Sequence, residues 1–511
     1  MLASVHSFIL TGIDASPCTV EVDLDETDFW KATVVGLPDA AVRESIERVR
    51  TAVLNAGFRF PEGRLLVNLA PADIRKEGPV YDLPIAVGLL MSTQTARAPA
   101  IGVDPSRYLF AGELALDGSL RPVKGVIAAA DLASRRGLEG IIVPAQNAPE
   151  AAVVPNIQVI GISTLSEVVA LLNAELDPSP EPLVDIAQEV RMASADVDFA
   201  EVRGQEAVKR GLTVAAAGSH NVLMLGPAGT GKTMMARALP GILPPMSPDE
   251  AVEVTRIYSA VGRLAGPSSA GPGLVTNRPV RAPHHTASST AIIGGGIIPK
   301  PGEISLAHRG ILFLDELPEF PRAVLDTLRQ PLEEGTVTIA RAHSAARFPA
   351  DFMLVAAMNP TARGDMPTDV AGRRAMDRYL SRVSRPLLDR IDVHLEAPAI
   401  PWQELSRGRV GTSTSEMRAL VAEARRLQQE RQGATLNSKL TGKQLDDYAP
   451  LESRAEGLLG EAIASLGLSA RAFDKIRRVA RTIADLRGSE AIDESAVAEA
   501  VQYRLLDRQL V

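Results

Sequence analysis

Residues Gly226-Pro227-Ala228-Gly229-Thr230-Gly231-Lys232-Thr233 have the spacing G-x-x-x-x-G-K-[ST] of a phosphate-binding loop. An apolar run, Asn221-Val-Leu-Met-Leu, precedes them, and a helical-looking stretch, Met234 to Leu239, follows. Strand, glycine-rich turn and helix are the context this chemistry needs. The glycines let successive backbone N–H groups turn inward around phosphates, and the helix N-terminus adds positive potential. Lys232 is expected to reach the β- and γ-phosphates, with the Thr233 hydroxyl on Mg²⁺. The stretch predicts an ATP-type nucleotide site.

A second element matches it. Ile311-Leu-Phe-Leu-Asp315-Glu316 is an apolar strand ending in two acids. In a P-loop ATPase such a pair divides the work: Asp315 holds Mg²⁺, and Glu316 polarises the attacking water. On its own it would equally describe a buried strand with solvated carboxylates. The phosphate loop upstream and a further apolar strand ending in Asn359 (Phe352 to Asn359, FMLVAAMN) favour the catalytic reading.

The chain has 511 residues, too long for one core, and its length suggests roughly three domains. A hydrophobic fraction of 46% and a charged fraction of 23% are those of an ordinary globular protein. The net charge of −8 argues against a broadly basic surface, so any polyanion site must be local. A single cysteine, Cys18, excludes an internal disulfide and a multi-cysteine metal cluster. The first twenty residues lack a basic leader segment, and Asp14 interrupts their apolar stretch, so they read as a strand and turn rather than an export signal. The uncharged run Ala282 to Pro299 is rich in His, Ser and Gly and unsuited to a membrane. A cytoplasmic location with no membrane partner is expected.

Residues 1–173 alternate strand-like segments (Leu65 to Leu69, Gly140 to Pro144) with helical ones (Leu83 to Leu90), as in an α/β or α+β domain. A proline-rich acidic stretch from Glu175 opens a linker over 174–198. The nucleotide-binding core is expected over 199–398, ending near Pro398 to Pro401, and a helical region over 399–511.

Four segments carry a specific resemblance: RAPHHTASSTAIIGGG (Arg281 to Gly296), PGEISLAHRGILFLDELPEF (Pro301 to Phe320), LVAAMNP (Leu354 to Pro360) and LLDRIDVHLE (Leu387 to Glu396). With VVGLPDAAVRESIERVR (Val34 to Arg50) and LVNLAPADIRKEG (Leu66 to Gly78), they resemble the YifB/ComM family of magnesium-chelatase-like AAA+ proteins. The resemblance implies a Lon-protease-like α+β front domain, an α/β AAA+ core with helix-2 and pre-sensor-1 insertions, and a helical lid. It also implies hexameric assembly, with ComM members described as helicases that drive branch migration of DNA during natural transformation. Asn359 takes the place of sensor 1, which positions water beside the γ-phosphate. Arg390 matches the arginine finger, which touches the γ-phosphate of a neighbouring subunit, and Arg471 matches sensor 2 of the lid.

Two departures matter. Many relatives follow sensor 1 with a cysteine-rich segment, whereas here the stretch is Pro360-Thr-Ala-Arg-Gly-Asp, so no zinc is expected. Lon peptidases pair a catalytic Ser with a Lys. This chain has Val80 where the serine belongs, and Ile127 and Ala129 where the lysine is expected, so no peptidase activity is expected.

The segment Val337 to Pro349 lies where this clade carries a hairpin facing the hexamer channel, and contains Arg341, His343 and Arg347 without an acid. Repeated around a ring, these would line a channel able to track a phosphate backbone. Lys300, in the helix-2 insertion, is a second candidate DNA contact. The adjacent His284 and His285 cannot share a helix face and read as structural rather than metal-ligating. An ATP-driven DNA motor leads this reading. A protein remodeller and a metal-insertion motor would use the same ATP chemistry.

Overall fold

The computed structural model describes residues 2–25, 30–96, 103–192, 197–264, 273–296, 299–341, 344–361, 370–399, 411–466 and 470–504. Alternating side chains organise the first sheet. Strands β1 (Leu2–Thr11), β2 (Asp14–Asp25), β3 (Lys31–Val35), β4 (Arg64–Ala70) and β5 (Tyr108–Phe110) come first. After a short hairpin of β6 (Glu113–Leu114) and β7 (Leu120–Arg121), β8 (Gly140–Pro144) and β9 (Gln158–Ile162) complete it, in the order β3-β4-β2-β1-β5-β8-β9. β1, β2 and β4 pair antiparallel, and β5, β8 and β9 are parallel. Val20, Val22, Leu65, Val67 and Leu69 are buried on one face, against helices Ala40–Asn55 and Asp82–Ser92. Arg48 and Asp82 join those two helices through paired hydrogen bonds of 2.8 and 2.9 Å.

The stretch with linker composition is docked rather than bare. Glu181 N–H donates to Val159 C=O at 2.7 Å, and Val190, in a short helix (Ile186–Met192), is buried.

The second sheet is all parallel: β10 (Val222–Leu225), β11 (Val280–Arg281), β14 (Ile311–Leu314), β17 (Met353–Met358) and β18 (Val393–Glu396), ordered β11-β14-β17-β10-β18. Its three central strands, β14, β17 and β10, are continuous apolar runs because both faces are covered, whereas the edge strands β11 and β18 carry Arg281, His394 and Glu396. Two antiparallel hairpins project from it: β12 (Gly294–Gly295) with β13 (Lys300–Pro301), and β15 (Thr336–Arg341) with β16 (Ser344–Pro349). These occupy the places expected for the helix-2 and pre-sensor-1 insertions. Regular structure described within 411–504 is helical, including Thr414–Gln432 and Ala470–Leu486. No helix among the described residues is long and apolar enough to cross a membrane.

The amino-terminal sheet is seated on the core. Helix Val126–Arg135 packs on helix Pro248–Ala260 within one apolar cluster, and Gly125 N–H donates to Ser259 C=O at 3.2 Å. The β1–β2 turn reaches the longer hairpin, where a Cβ on Gly12 would lie 3.3 Å from Phe348. At this junction Glu150 is 3% exposed and accepts from Asn147 Nδ2 at 2.9 Å. Burial pushes its carboxyl up to about 7.

Because the folded chain holds the Glu150 proton to higher pH than the unfolded chain does, stability should fall as pH rises from the ordinary carboxylate range to about 7. Glu150→Gln should flatten that slope and raise the melting temperature at about pH 8. Thermal unfolding of both proteins across pH checks this, and an identical slope would remove Glu150 as its source.

Candidate nucleotide site

The loop after β10 is shaped by close approach. A Cβ on Gly226 would lie 2.1 Å from the Ala397 carbonyl oxygen, so a side chain there would push β10 and β18 apart. Gly229 and Gly231 have φ of 80° and 85°, the left-handed region, and a Cβ on Gly229 would meet nothing within 4 Å. The loop thus leaves open the cradle that phosphates would fill. Lys232 donates its ammonium to the Gly226 and Pro227 carbonyls at 2.7 and 2.8 Å and to Asn359 Oδ1 at 3.1 Å. Burial lowers its pKa, with Asp315 opposing, a setting that bound phosphate would relieve.

Thr233 Oγ1 donates to Asp315 Oδ2 at 2.9 Å, so the two expected Mg²⁺ ligands already touch. Asp315 Oδ1 accepts from the Glu316 N–H at 3.0 Å, and Glu316 sits at φ 52°, a conformation costly for a non-glycine residue. These residues fit a magnesium–nucleotide triphosphate: an open loop, a buried cation, and a hydroxyl–carboxylate pair beside a second carboxylate. The structure therefore brings together Gly226 to Thr233, Asp315, Glu316 and Asn359.

One member of this site was not anticipated. His285 Nδ1 lies 3.2 Å from Glu316 Oε2, in a cleft of about 640 Å³ lined also by Thr233, Arg237, His284 and Asp315. Reading His285 as structural overlooks that it follows β11, the strand beside β14. Residues just past the carboxyl ends of parallel strands converge on one crevice, and that signal could have found it.

Arg390 and Arg471 are elsewhere. Arg390 precedes β18, and its carbonyl accepts from Asn221 Nδ2 at 3.0 Å, which places it at the amino ends of β18 and β10. Asn221 also accepts the Leu354 N–H at 2.9 Å, so one side chain ties three strands at that edge. The phosphate loop leaves the opposite edge, about 13 Å away for a four-residue strand. Arg471 joins Arg390 in a cavity of about 320 Å³, with Lys439, Lys475 and Arg478. Lys475 bonds the buried Asp392 at 3.0 Å. Burial alone would raise the Asp392 carboxyl, yet Lys475 and His220 hold it well below the usual carboxylate range.

The candidate DNA residues fall on the two hairpins. Arg347 is exposed on β16 and donates to Thr336 at 3.2 Å. Arg341 closes β15 opposite Ser344, and register puts its position and that of Arg347 in alternate series of the hairpin. The Arg341 side chain and His343 lie outside the described residues, as does 362–369, which includes most of the stretch that lacks the cysteines. Lys300 belongs to the shorter hairpin, on β13. It is exposed at a cleft that also holds Glu77 and Lys124, between the amino-terminal sheet and the core.

Three family models match successive parts of the chain: "Subunit ChlI of Mg-chelatase" over 20–147, "Magnesium chelatase, subunit ChlI" over 198–405, and "Magnesium chelatase, subunit ChlI C-terminal" over 411–504. The chain is 43% identical to competence protein ComM of Haemophilus influenzae, over 100% of this chain and 98% of that one. It is 41% identical to the YifB protein of Escherichia coli, with the same coverage of both chains. The magnesium-chelatase 67 kDa subunit of Heliobacterium mobile is 29% identical, over 35% of this chain and 30% of its own. Matched from end to end by such relatives, and built on a parallel P-loop core, the chain belongs to the YifB/ComM family of magnesium-chelatase-like AAA+ proteins.

Proposed function

We propose that this protein is an ATP-hydrolysing, ring-forming motor that acts on DNA, as a branch-migration helicase or translocase in recombination or natural transformation. One observation carries the ring: the phosphate loop and Glu316 lie at the carboxyl edge of the β10 sheet, whereas Arg390 and Arg471 lie at its amino edge. A single chain cannot bring them to one nucleotide. A head-to-tail neighbour can, and six-fold closure gives the hexamer that the family resemblance implies. In that reading Lys232 and the loop amides grip ATP, Thr233 and Asp315 hold Mg²⁺, Asn359 orients the water, and Glu316 takes its proton. Arg390 and Arg471 of the adjoining subunit then offset charge on the γ-phosphate.

DNA as client is supported by the acid-free hairpin, by exposed Arg347, and by the relative named as a competence protein. The metal-insertion alternative draws on the chelatase relatives, but these cover only 35% and 37% of this chain. The amino-terminal unit reads as Lon-like without peptidase chemistry: Val80 sits in a half-buried turn, and Ile127 and Ala129 are buried. A protein client remains the rival, and hydrolysis measured with single-stranded DNA, forked DNA and unfolded protein as separate stimulants decides between them.

Glu316→Gln should keep nucleotide affinity while turnover falls on the order of a hundredfold or more, because only water activation is removed. Lys232→Ala should weaken binding itself. Fluorescent-nucleotide titration beside phosphate release separates the two, and normal hydrolysis by Glu316→Gln would remove the assigned base.

Arg390→Ala alone should lose activity on the order of a thousandfold. Mixing it with Lys232→Ala subunits should restore part of it, since some interfaces then pair an intact loop with an intact finger. Absence of recovery in rings shown to be mixed would count against a shared site.

Arg341→Ala should weaken DNA binding and DNA-stimulated hydrolysis with basal turnover largely kept. The log–log salt slope on single strands should become shallower by roughly 0.7 for each phosphate that the arginine no longer neutralises. An unchanged affinity and slope would exclude the hairpin as the DNA-binding element.

A further inference from the structure

The arginine assigned to a neighbour's nucleotide is engaged within its own chain. Arg390 is 15% exposed by its side chain, and Nη1 donates to the Pro386 carbonyl at 2.5 Å. Nη2 is taken by the carboxylate of Glu333, while Nε is buried without a hydrogen-bond partner among the described residues. Glu333 itself is 60% exposed, so it is not a structural core acid. It stands near the end of helix Arg329–Glu334, and only Gly335 separates that helix from β15. The carboxylate that grips the finger is therefore attached to the root of the hairpin.

The other root of the hairpin is wired to the same cavity. Asp351, two residues beyond the end of β16, lies 3.2 Å from Lys439 of the helical region and 3.3 Å from Arg309. Glu333, Asp351, Arg390, Lys439 and Arg471 all line one cavity. Gly335 and Ala350 close the hairpin base with an N–H to C=O bond of 2.8 Å, so the two roots move as a pair. A displacement of the hairpin thus acts on the finger through Glu333 and on the lid through Asp351.

We propose that Glu333 is a positioning residue that holds Arg390 back in its own subunit and releases it when the β15–β16 hairpin is displaced by a bound strand. This rests on the reading of Arg390 as a finger acting across the subunit interface and of the hairpin as the element that meets the client. An anionic γ-phosphate offered by the neighbour competes with the Glu333 carboxylate for the same guanidinium. Whichever anion is better placed takes it, and hairpin position sets that balance. Without the competitor the finger is free whether or not DNA is bound.

Glu333→Gln keeps the shape and removes the charge. Basal turnover should rise about two- to fivefold, the range a partly exposed ion pair supports. The ratio of DNA-stimulated to basal kcat should fall toward one, with KM for ATP and ring mass unchanged. Glu333→Asp, which keeps the charge, should restore much of the ratio. A merely structural carboxylate would move stability or KM instead, and its loss would leave the ratio intact. Unchanged basal kcat in Glu333→Gln, or a drop in basal and stimulated rates by the same factor, overturns the latch. If the parent protein shows no response to any DNA, the DNA reading fails by itself, and the basal rate of Glu333→Gln still decides the latch.

Discussion

The buried pair between Asp392 and Lys475 fixes where the helical region meets the nucleotide-binding core. Both groups are about 10% exposed by side chain, and removing either would strand a charge in an apolar setting. His220 and Thr482 add a 2.8 Å hydrogen bond between the same two elements, just behind the pair. Lys475 lies one helical turn after Arg471, so seating the lysine also seats the arginine. Asp392 follows Arg390 by two residues, and the same clamp sets the start of β18. One ion pair thereby brings two arginines, distant in sequence, to a single cavity.

Strand polarity does the complementary job. In an all-parallel sheet, loops after the strands gather at one edge and the segments before them at the other. Gly226 to Thr233, Glu316, Asn359 and His285 follow the ends of β10, β14, β17 and β11, and they converge. Arg390 precedes a strand and so cannot join them. The proposed chemistry is divided between two edges of one subunit, and the ring proposed above rests on that division rather than on any surface patch.

The amino-terminal sheet adds a further constraint. Its β1–β2 turn abuts Phe348 on the longer hairpin, and the cleft beside Val80 is shared with Lys300 of the shorter one. Both insertions are thus in contact with a unit that carries no ATP chemistry. In the motor proposed above, these contacts give the amino-terminal sheet a route by which to sense the hairpins.

Local pattern alone identified the phosphate loop, the Asp315–Glu316 pair and the apolar strands beside them, because those functions depend on short stretches with fixed spacing. Glycines at 226, 229 and 231, a following lysine and a strand ending in acids carry their geometry with them. Family resemblance named Arg390 and Arg471 but not where they act, since that depends on which edge of the sheet each one occupies. His285 and Glu333 were invisible for a related reason: each matters only through a partner 31 or 57 positions away. Lys300, read from the sequence as a second candidate DNA contact, stands at the junction with the amino-terminal sheet, a position set by packing between units rather than by its own segment. Short-range backbone chemistry was written in the sequence, whereas which charges meet was decided only when parallel strands and packed helices brought remote segments to a common edge.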